Sequence, residues 1–222
     1  MKQPIRTLLF SAVICGLSAV ALAGEATPNV NENGLRKVHD RHLDEVYVAP
    51  ASRLSDYRTV YIEQPAVQFR KNWARDLNRS HRGTVVYPRD EQELIEDYAR
   101  LTHEVFTEIM EKRGFVIAES RDEGTLVVRP DIVDLDIVAP DIPRAQRVDV
   151  YSESAGRMTL ALTLEDGATG KPVVQVSDMK EDPRWGYMEW RTRPSNYSDA
   201  RRALKSWANS LADAIEDGRW TG

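Results

Sequence analysis

Thr125-Leu126-Val127-Val128-Arg129-Pro130-Asp131-Ile132-Val133-Asp134-Leu135-Asp136-Ile137-Val138 is the stretch on which the fold turns. Its first six residues are dominated by apolar and β-branched side chains and read as a strand. From Ile132 the pattern becomes strict alternation, with Val133, Leu135 and Ile137 on one side and Asp134 and Asp136 on the other. That period of two is the mark of a strand with one buried face. Pro140 and Pro143 close it, because proline cannot donate to a ladder.

Working outward, Met158, Leu160, Leu162 and Leu164 alternate with Thr159, Ala161 and Thr163. The turn residues Asp166-Gly167-Ala168-Thr169-Gly170-Lys171 follow, and Val173-Val174-Gln175-Val176 returns, so residues 157–180 should form a hairpin. On the other side, Phe115-Val116-Ile117-Ala118 reads as a strand. Before it, Leu94, Ile95, Tyr98, Leu101, Val105, Phe106, Ile109 and Met110 recur every three or four residues, the apolar stripe of a helix. Pro88 and Asp90 open that helix, Asp90 as N-cap with Glu93 as its capping-box partner, and Gly114 stops it. A length of about 35 Å follows from the rise per residue. Thr59-Val60-Tyr61-Ile62, interrupted at Pro65 and resumed at Val67-Gln68-Phe69, predicts a strand with a break. A last helix over about residues 197–216 turns Ala200, Ala203, Leu204, Trp207, Ala208, Leu211 and Ile215 inward and ends at Gly218.

This order predicts an α+β fold: a mostly antiparallel sheet with two amphipathic helices packed on one face, a two-layer sandwich. Residues 24–53 are polar, with Asn29, Asn31, Asn33 and Gly34, and read as a flexible lead-in ordered only near Leu43. Residues 54–222 then make one α+β domain. Residues 1–23 read as a cleavable export signal: Lys2 and Arg6, an apolar run from about Leu8 to Val20, and Ala21-Leu22-Ala23 at the cut. This places the mature chain in the periplasm. Cys15, the single cysteine, lies inside the signal, so the mature chain has no thiol or disulfide. Lipid anchoring at Cys15 is disfavoured by the branched Ile14 just before it, where a small residue is wanted. The net charge of −5 is no nucleic-acid footprint, and no apolar run after Ala23 is long enough to span a membrane.

Several segments in order resemble the bacterial envelope family known as domain of unknown function 3313, whose members are described as lipoproteins or periplasmic proteins. They are Asp44-Glu45-Val46-Tyr47-Val48, Phe69-Arg70-Lys71-Asn72-Trp73, Val128-Arg129-Pro130 with Asp134 and Ala139-Pro140-Asp141, Ser154-Ala155-Gly156-Arg157-Met158-Thr159-Leu160, and Ala200-Arg201-Arg202-Ala203-Leu204 with Trp207. The resemblance implies an envelope protein and brings no catalytic or binding residues with it. The chain departs from a lipoprotein pattern at Ile14.

No catalytic constellation emerges. Ser152-Glu153-Ser154-Ala155-Gly156 lacks the first glycine of a nucleophile elbow. The turn at Gly167 to Lys171 lacks the spacing and the trailing helix of a phosphate loop. Of the four histidines, His39 and His42 sit in the lead-in, and His103-Glu104 has Thr107 where a zinc protease needs its second histidine. No metal site and no cofactor is expected. Asp134, Asp136 and Asp141, with Asp131 beside them, form the densest carboxylate group and read first as a polar strand face. An acid–base pair drawn from Asp134, Asp136 or Asp141 is the alternative, and would make a carboxylate-dependent hydrolase of an envelope polymer.

The aromatic and arginine-rich run Trp185-Gly186-Tyr187-Met188-Glu189-Trp190-Arg191 suits a contact surface, with Arg144 and Arg147 of the 141–155 loop as natural neighbours. The expectation is therefore a non-enzymatic binding module whose partner is an envelope protein or a cell-wall polymer. Its contact residues would be Trp185, Tyr187, Trp190, Arg191, Arg144 and Arg147.

Overall fold

The computed structural model describes residues 29–80, 85–137, 151–152, 156–181, 189–190 and 193–220. In chain order the elements are β1 (Arg36–Val38), β2 (Glu45–Val48), β3 (Thr59–Ile62), β4 (Val67–Phe69), α1 (Trp73–Ser80), α2 (Pro88–Lys112), β5 (Val116–Ile117), β6 (Thr125–Ile137), β7 (Tyr151–Ser152), β8 (Gly156–Asp166), β9 (Pro172–Glu181), β10 (Glu189–Trp190) and α3 (Arg193–Asp217). Eight strands form one mixed sheet in the order β1-β2-β9-β8-β6-β3-β5, with β4 continuing the line of β3 along β6. Residues 1–23 with Cys15, read above as an export signal, and Asp141, Arg144, Arg147, Trp185, Tyr187 and Arg191, lie outside the described residues.

The decisive stretch is one strand of 13 residues, not two. Its burial phase changes partway: Leu126, Val128 and Ile132 face the core, and then Leu135 and Ile137 do. The register against β8 slips between Val133 and Asp136, and Asp134 takes φ 52°. This is a β-bulge, and one extra residue moves every later side chain to the opposite face. The predicted inward trio is corrected accordingly, with Ile132 fully buried in the place expected for the half-exposed Val133. Aspartate tolerates the left-handed conformation that the bulge demands.

The sheet is mostly antiparallel, with one correction. β3 runs parallel to both β5 and β6, and β4 runs parallel to β6. The chain leaves β4, passes through α1 and α2 and returns as β5, the helical crossover that parallel pairing requires. The expected break at Pro65 is real. There the Asp131 carboxylate accepts the Ala66 N–H at 2.8 Å, and the Ile132 N–H donates to the Ala66 carbonyl at 2.9 Å. Pro65 and Pro130 have no N–H to offer the ladder, so a side chain substitutes.

Two strands come from the segment read as a lead-in. β1 and β2 extend the sheet beyond β9, and Leu35, Leu43, Val46 and Val48 are buried. The polarity of residues 29–34 is put to local use, since the Asn31 side chain accepts the Asn33 and Leu35 N–H groups and donates to Gln175 at 2.8 Å. The hairpin is β8 and β9, paired antiparallel along nearly their whole length.

Helix α2 begins at Pro88, earlier than expected. Tyr87 is the N-cap and Asp90 occupies N3, where its carboxylate accepts the Tyr87 N–H at 2.9 Å. Proline at N1 supplies a suitable φ and gives up an N–H that would have had no partner there. Gly114 at φ 86° ends the helix. Val105, Phe106 and Met110 are completely buried, each contributing roughly 1.5–3 kcal/mol, so packing rather than propensity holds the helix. Helix α1 was not foreseen. Trp73 anchors it by stacking on Phe69 with ring centroids 3.8 Å apart and donating its indole N–H to the Ile137 carbonyl at 2.9 Å.

Helices α2 and α3 pack side by side over the apolar face of the sheet and run in the same direction. Tyr98 meets Tyr197, Glu108 meets Arg201 at 2.6 Å, and Arg113 meets Asp213 at 2.7 Å. Glu108 is the hub, bonded first to Lys112 and then to Arg201, with Lys205 at 3.7 Å; these cations hold its carboxyl down at about 2. A carboxylate whose pKa is lowered on folding contributes stability above its unfolded value, and loses that contribution as pH falls towards the folded value. Glu108→Gln is expected to lower Tm by a few degrees at pH 7. The gap from the parent should close between about pH 4.5 and 2 and shrink in high salt, because the site is solvent-screened. Melting curves across that range check it, and a gap independent of pH would refute it.

Candidate functional site

The end of the sheet where β6 finishes, β8 begins and β9 finishes is built around the bulge. Gly156, at φ 121°, opens β8 opposite Ile137, and an added Cβ there would lie 1.8 Å from the Asp136 carbonyl oxygen. Only glycine permits this approach. Across it lies a solvent-open cavity of about 250 Å³, walled by these strand ends, by Tyr98 of α2 and by residues 199–206 of α3. Its floor is apolar: Leu135, Ile137, Met158, Ala200, Ala203 and the Tyr98 ring. Burial pushes the Tyr98 phenol up, with the neighbouring Tyr197 and Asp199 adding to it, so it stays neutral.

The rim is charged, with Asp136, Arg157, Lys180, Glu181, Asp199 and Arg202. Asp136 accepts Arg70 Nε at 2.7 Å, and the same guanidinium binds Asp76 at 2.9 Å. Asp199 pairs with Arg202. Lys180 Nζ donates to Ser206 Oγ at 2.8 Å and lies 5.7 Å from the centre of the Trp207 ring. A serine beside a lysine can be a nucleophile and its base, but here the bond is exposed to solvent.

Beneath the rim, Asp178 is buried and accepts the Trp207 indole N–H at 2.6 Å and the Asp44 N–H at 3.0 Å. This ties β9, α3 and the start of β2 together under the cavity.

The carboxylates singled out in the sequence have separate duties. Asp131 caps the β4 break, Asp134 occupies the bulge and is exposed, and Asp136 is ion-paired to Arg70. Among the described residues no three His, Cys, Asp or Glu side chains converge as a metal site. Of the aromatic segment, Trp190 lies in β10, which pairs antiparallel with β7: Trp190 opposite Tyr151 and Glu189 opposite Ser152. The two stretches expected to be neighbours are therefore joined through their backbones. The cavity residues Arg157, Lys180, Arg202 and Ser206 escaped sequence reading, because they look like ordinary solvated positions on strands and a helix.

The architecture defines an α+β domain with a small cavity at one end of its sheet. The chain belongs to the family described as protein of unknown function (DUF3313), which matches residues 26–211. No curated protein matches it in sequence. Among solved structures it is similar to a Xanthomonas campestris protein of the DUF330 family, at 12% identity and TM-score 0.41 over 78% of this chain and 91% of that one. It is also similar to a minor lipoprotein from Acinetobacter baumannii, at 12% identity and TM-score 0.37 over 74% of this chain and 97% of that one. A third is the PelC dodecamer from Paraburkholderia phytofirmans, at 12% identity and TM-score 0.38 over 80% and 97%. Likeness at this level assigns no function. No helix among the described residues is long and apolar enough to cross a membrane.

Proposed function

We propose that this protein is a non-enzymatic binding module of the bacterial cell envelope, exported by residues 1–23, cut after Ala23 and active in the periplasm. Its partner, an envelope protein or a wall polymer, engages the end of the domain that carries the cavity. The observation that carries this reading is a convergence. The chain leaves the sheet at Ile137 and Glu181, two residues that line the cavity, and the segments that follow hold Arg144, Arg147, Trp185 and Tyr187. The β7–β10 pair links those same two segments, with Trp190 opposite Tyr151. Aromatic and arginine side chains near a rigid scaffold's strand ends are the usual material of a contact surface.

The test is crosslinking in intact cells, comparing the parent with Trp190→Ala after circular dichroism has confirmed that the variant folds. A specific partner captured by the parent and lost or depleted about tenfold in the variant supports the proposal. An unchanged set of crosslinked partners removes this surface.

A further inference from the structure

We infer that the cavity receives an uncharged acyl group, an aliphatic chain whose amide or ester carbonyl accepts a hydrogen bond from the Tyr98 hydroxyl. This deepens the binding reading above and rests on it for the location of the site. The floor supplies the apolar half, with Leu135, Ile137, Met158 and Ala200 all buried around a space of about 250 Å³. A cavity of about 150 Å³ with an apolar lining is enough to hold benzene, so there is room here for a chain of about six carbons.

Tyr98 supplies the polar half. It lines the cavity and is only 3% exposed. Its ring meets Tyr197 with centroids 5.4 Å apart, and its hydroxyl has no hydrogen-bond partner among the described residues. A buried hydroxyl ordinarily has one, and leaving the bond unmade costs free energy. A neutral phenol offers a donor, which a carbonyl oxygen satisfies while its chain leaves water for the floor. The rim favours an uncharged ligand. It carries three acidic and three basic side chains, arranged to offset one another: Asp136 binds Arg70, Asp199 binds Arg202, and Arg157 stands across the ladders from Asp136 and Glu181. An ionised head group would therefore exchange water for a site with no net counter-charge.

Titration of the full chain with N-methylhexanamide and with methyl hexanoate, followed by calorimetry and by amide chemical shifts, tests this. Saturation by either is expected, with shifts centred on Tyr98 and on residues 135–137, 156–158 and 200–206; the tighter of the two separates an N-acyl source from an O-acyl one. Hexanoate and hexylammonium, which add a charge, and N-methylacetamide, which lacks the chain, should each bind about tenfold more weakly or worse. Tyr98→Phe should weaken the carbonyl ligand about three- to tenfold and leave cyclopentane, a purely apolar probe of the floor, unchanged. It should also keep the parent Tm, since the hydroxyl it removes bonds to nothing in the protein. Ala203→Phe, which fills the floor from a half-exposed position, should abolish both kinds of binding, with melting curves confirming that it folds.

Hexanoate or hexylammonium binding as tightly as the carbonyl probes, a Tyr98→Phe variant that binds them unchanged or melts several degrees below the parent, or shifts centred elsewhere would overturn the inference. A Trp190-dependent crosslinked partner without binding of either carbonyl probe removes this ligand and leaves the binding module standing. Saturation by a carbonyl probe without any such partner does the reverse.

Discussion

Gly156→Ala is expected to abolish the native fold or leave it with only a small fraction of its stability. The new methyl would sit 1.8 Å from the Asp136 carbonyl oxygen, 3.0 Å from that carbonyl carbon and 3.3 Å from the Ile137 Cα. All three are backbone atoms of β6, held by the ladder to β8, so no side chain can swing aside. The φ of 121° adds a penalty of its own, because residues with a Cβ rarely adopt it. The strand ends could relieve the clash only by separating, which would uncover Leu135, Ile137 and Met158. A loss above about 4 kcal/mol follows, exceptional for one substitution and comparable with the roughly 5–15 kcal/mol of a whole domain. Circular dichroism and urea unfolding measure it. Gly170→Ala is the control: φ is 65° there but nothing lies within 4 Å, so it should cost about 1–2 kcal/mol from conformation alone. A Gly156→Ala protein that unfolds at the parent's midpoint would falsify the close approach of β6 and β8.

Trp207→Phe is expected to cost about 2–4 kcal/mol. Trp207 is 1% exposed and Asp178 4%, so the 2.6 Å bond between them has no water to replace it. A hydrogen bond to a charged group is worth about 1.5–3 kcal/mol, and the smaller ring leaves a void between α3 and β9 that adds to the loss. Among the described residues, Asp178 would keep only the Asp44 N–H. Because both substitutions remove the same bond, Trp207→Phe and Asp178→Ala should be non-additive, with a coupling energy of about 1–3 kcal/mol in chemical unfolding. Additive effects, or a Trp207→Phe cost under about 0.5 kcal/mol, would show that the pair merely touches.

A second charge cluster shows why some polar positions resisted reading. Arg121 and Arg129 each contact both Glu63 and Glu165, with Arg129 Nε 2.6 Å from Glu63 and both guanidinium groups 3.2 Å from Glu165. Burial works to raise the Glu63 carboxyl, but hydrogen bonds from Arg129 and Arg121 outweigh it and hold it low. Arg129 and Glu165 come from β6 and β8, Glu63 lies just past the end of β3, and Arg121 sits in the connection between β5 and β6. Nothing in their spacing along the chain distinguishes them from isolated surface charges.

The hairpin, the long helix, the terminal helix and the family resemblance were legible because they rest on periodicity and on short ordered motifs. The candidate site was legible only at its edges. The aromatic segment drew notice by composition, and the pairing of β10 with β7 supports the guess that its neighbour is the 141–155 stretch. The cavity itself gave no signal, since its apolar floor is indistinguishable from core and its rim from solvated surface. The lead-in misled because its asparagines resemble those of a loop, whereas Asn31 spends its side chain on turn bonds and on Gln175.

Alternation over residues 156–166 and the three- to four-residue spacing over residues 94–110 depend on neighbours along the chain, so amino-acid order alone sufficed to locate those elements and their buried faces. Strand direction around β3, the change of phase at Asp134 and the cavity beside Gly156 depend instead on partners about 20 to 70 residues away: Ala66 on Asp131, Arg70 on Asp136, the Asp136 carbonyl on Gly156. Such contacts leave no period in the sequence. They exist only once the chain has closed on itself and each backbone donor has had to find an acceptor.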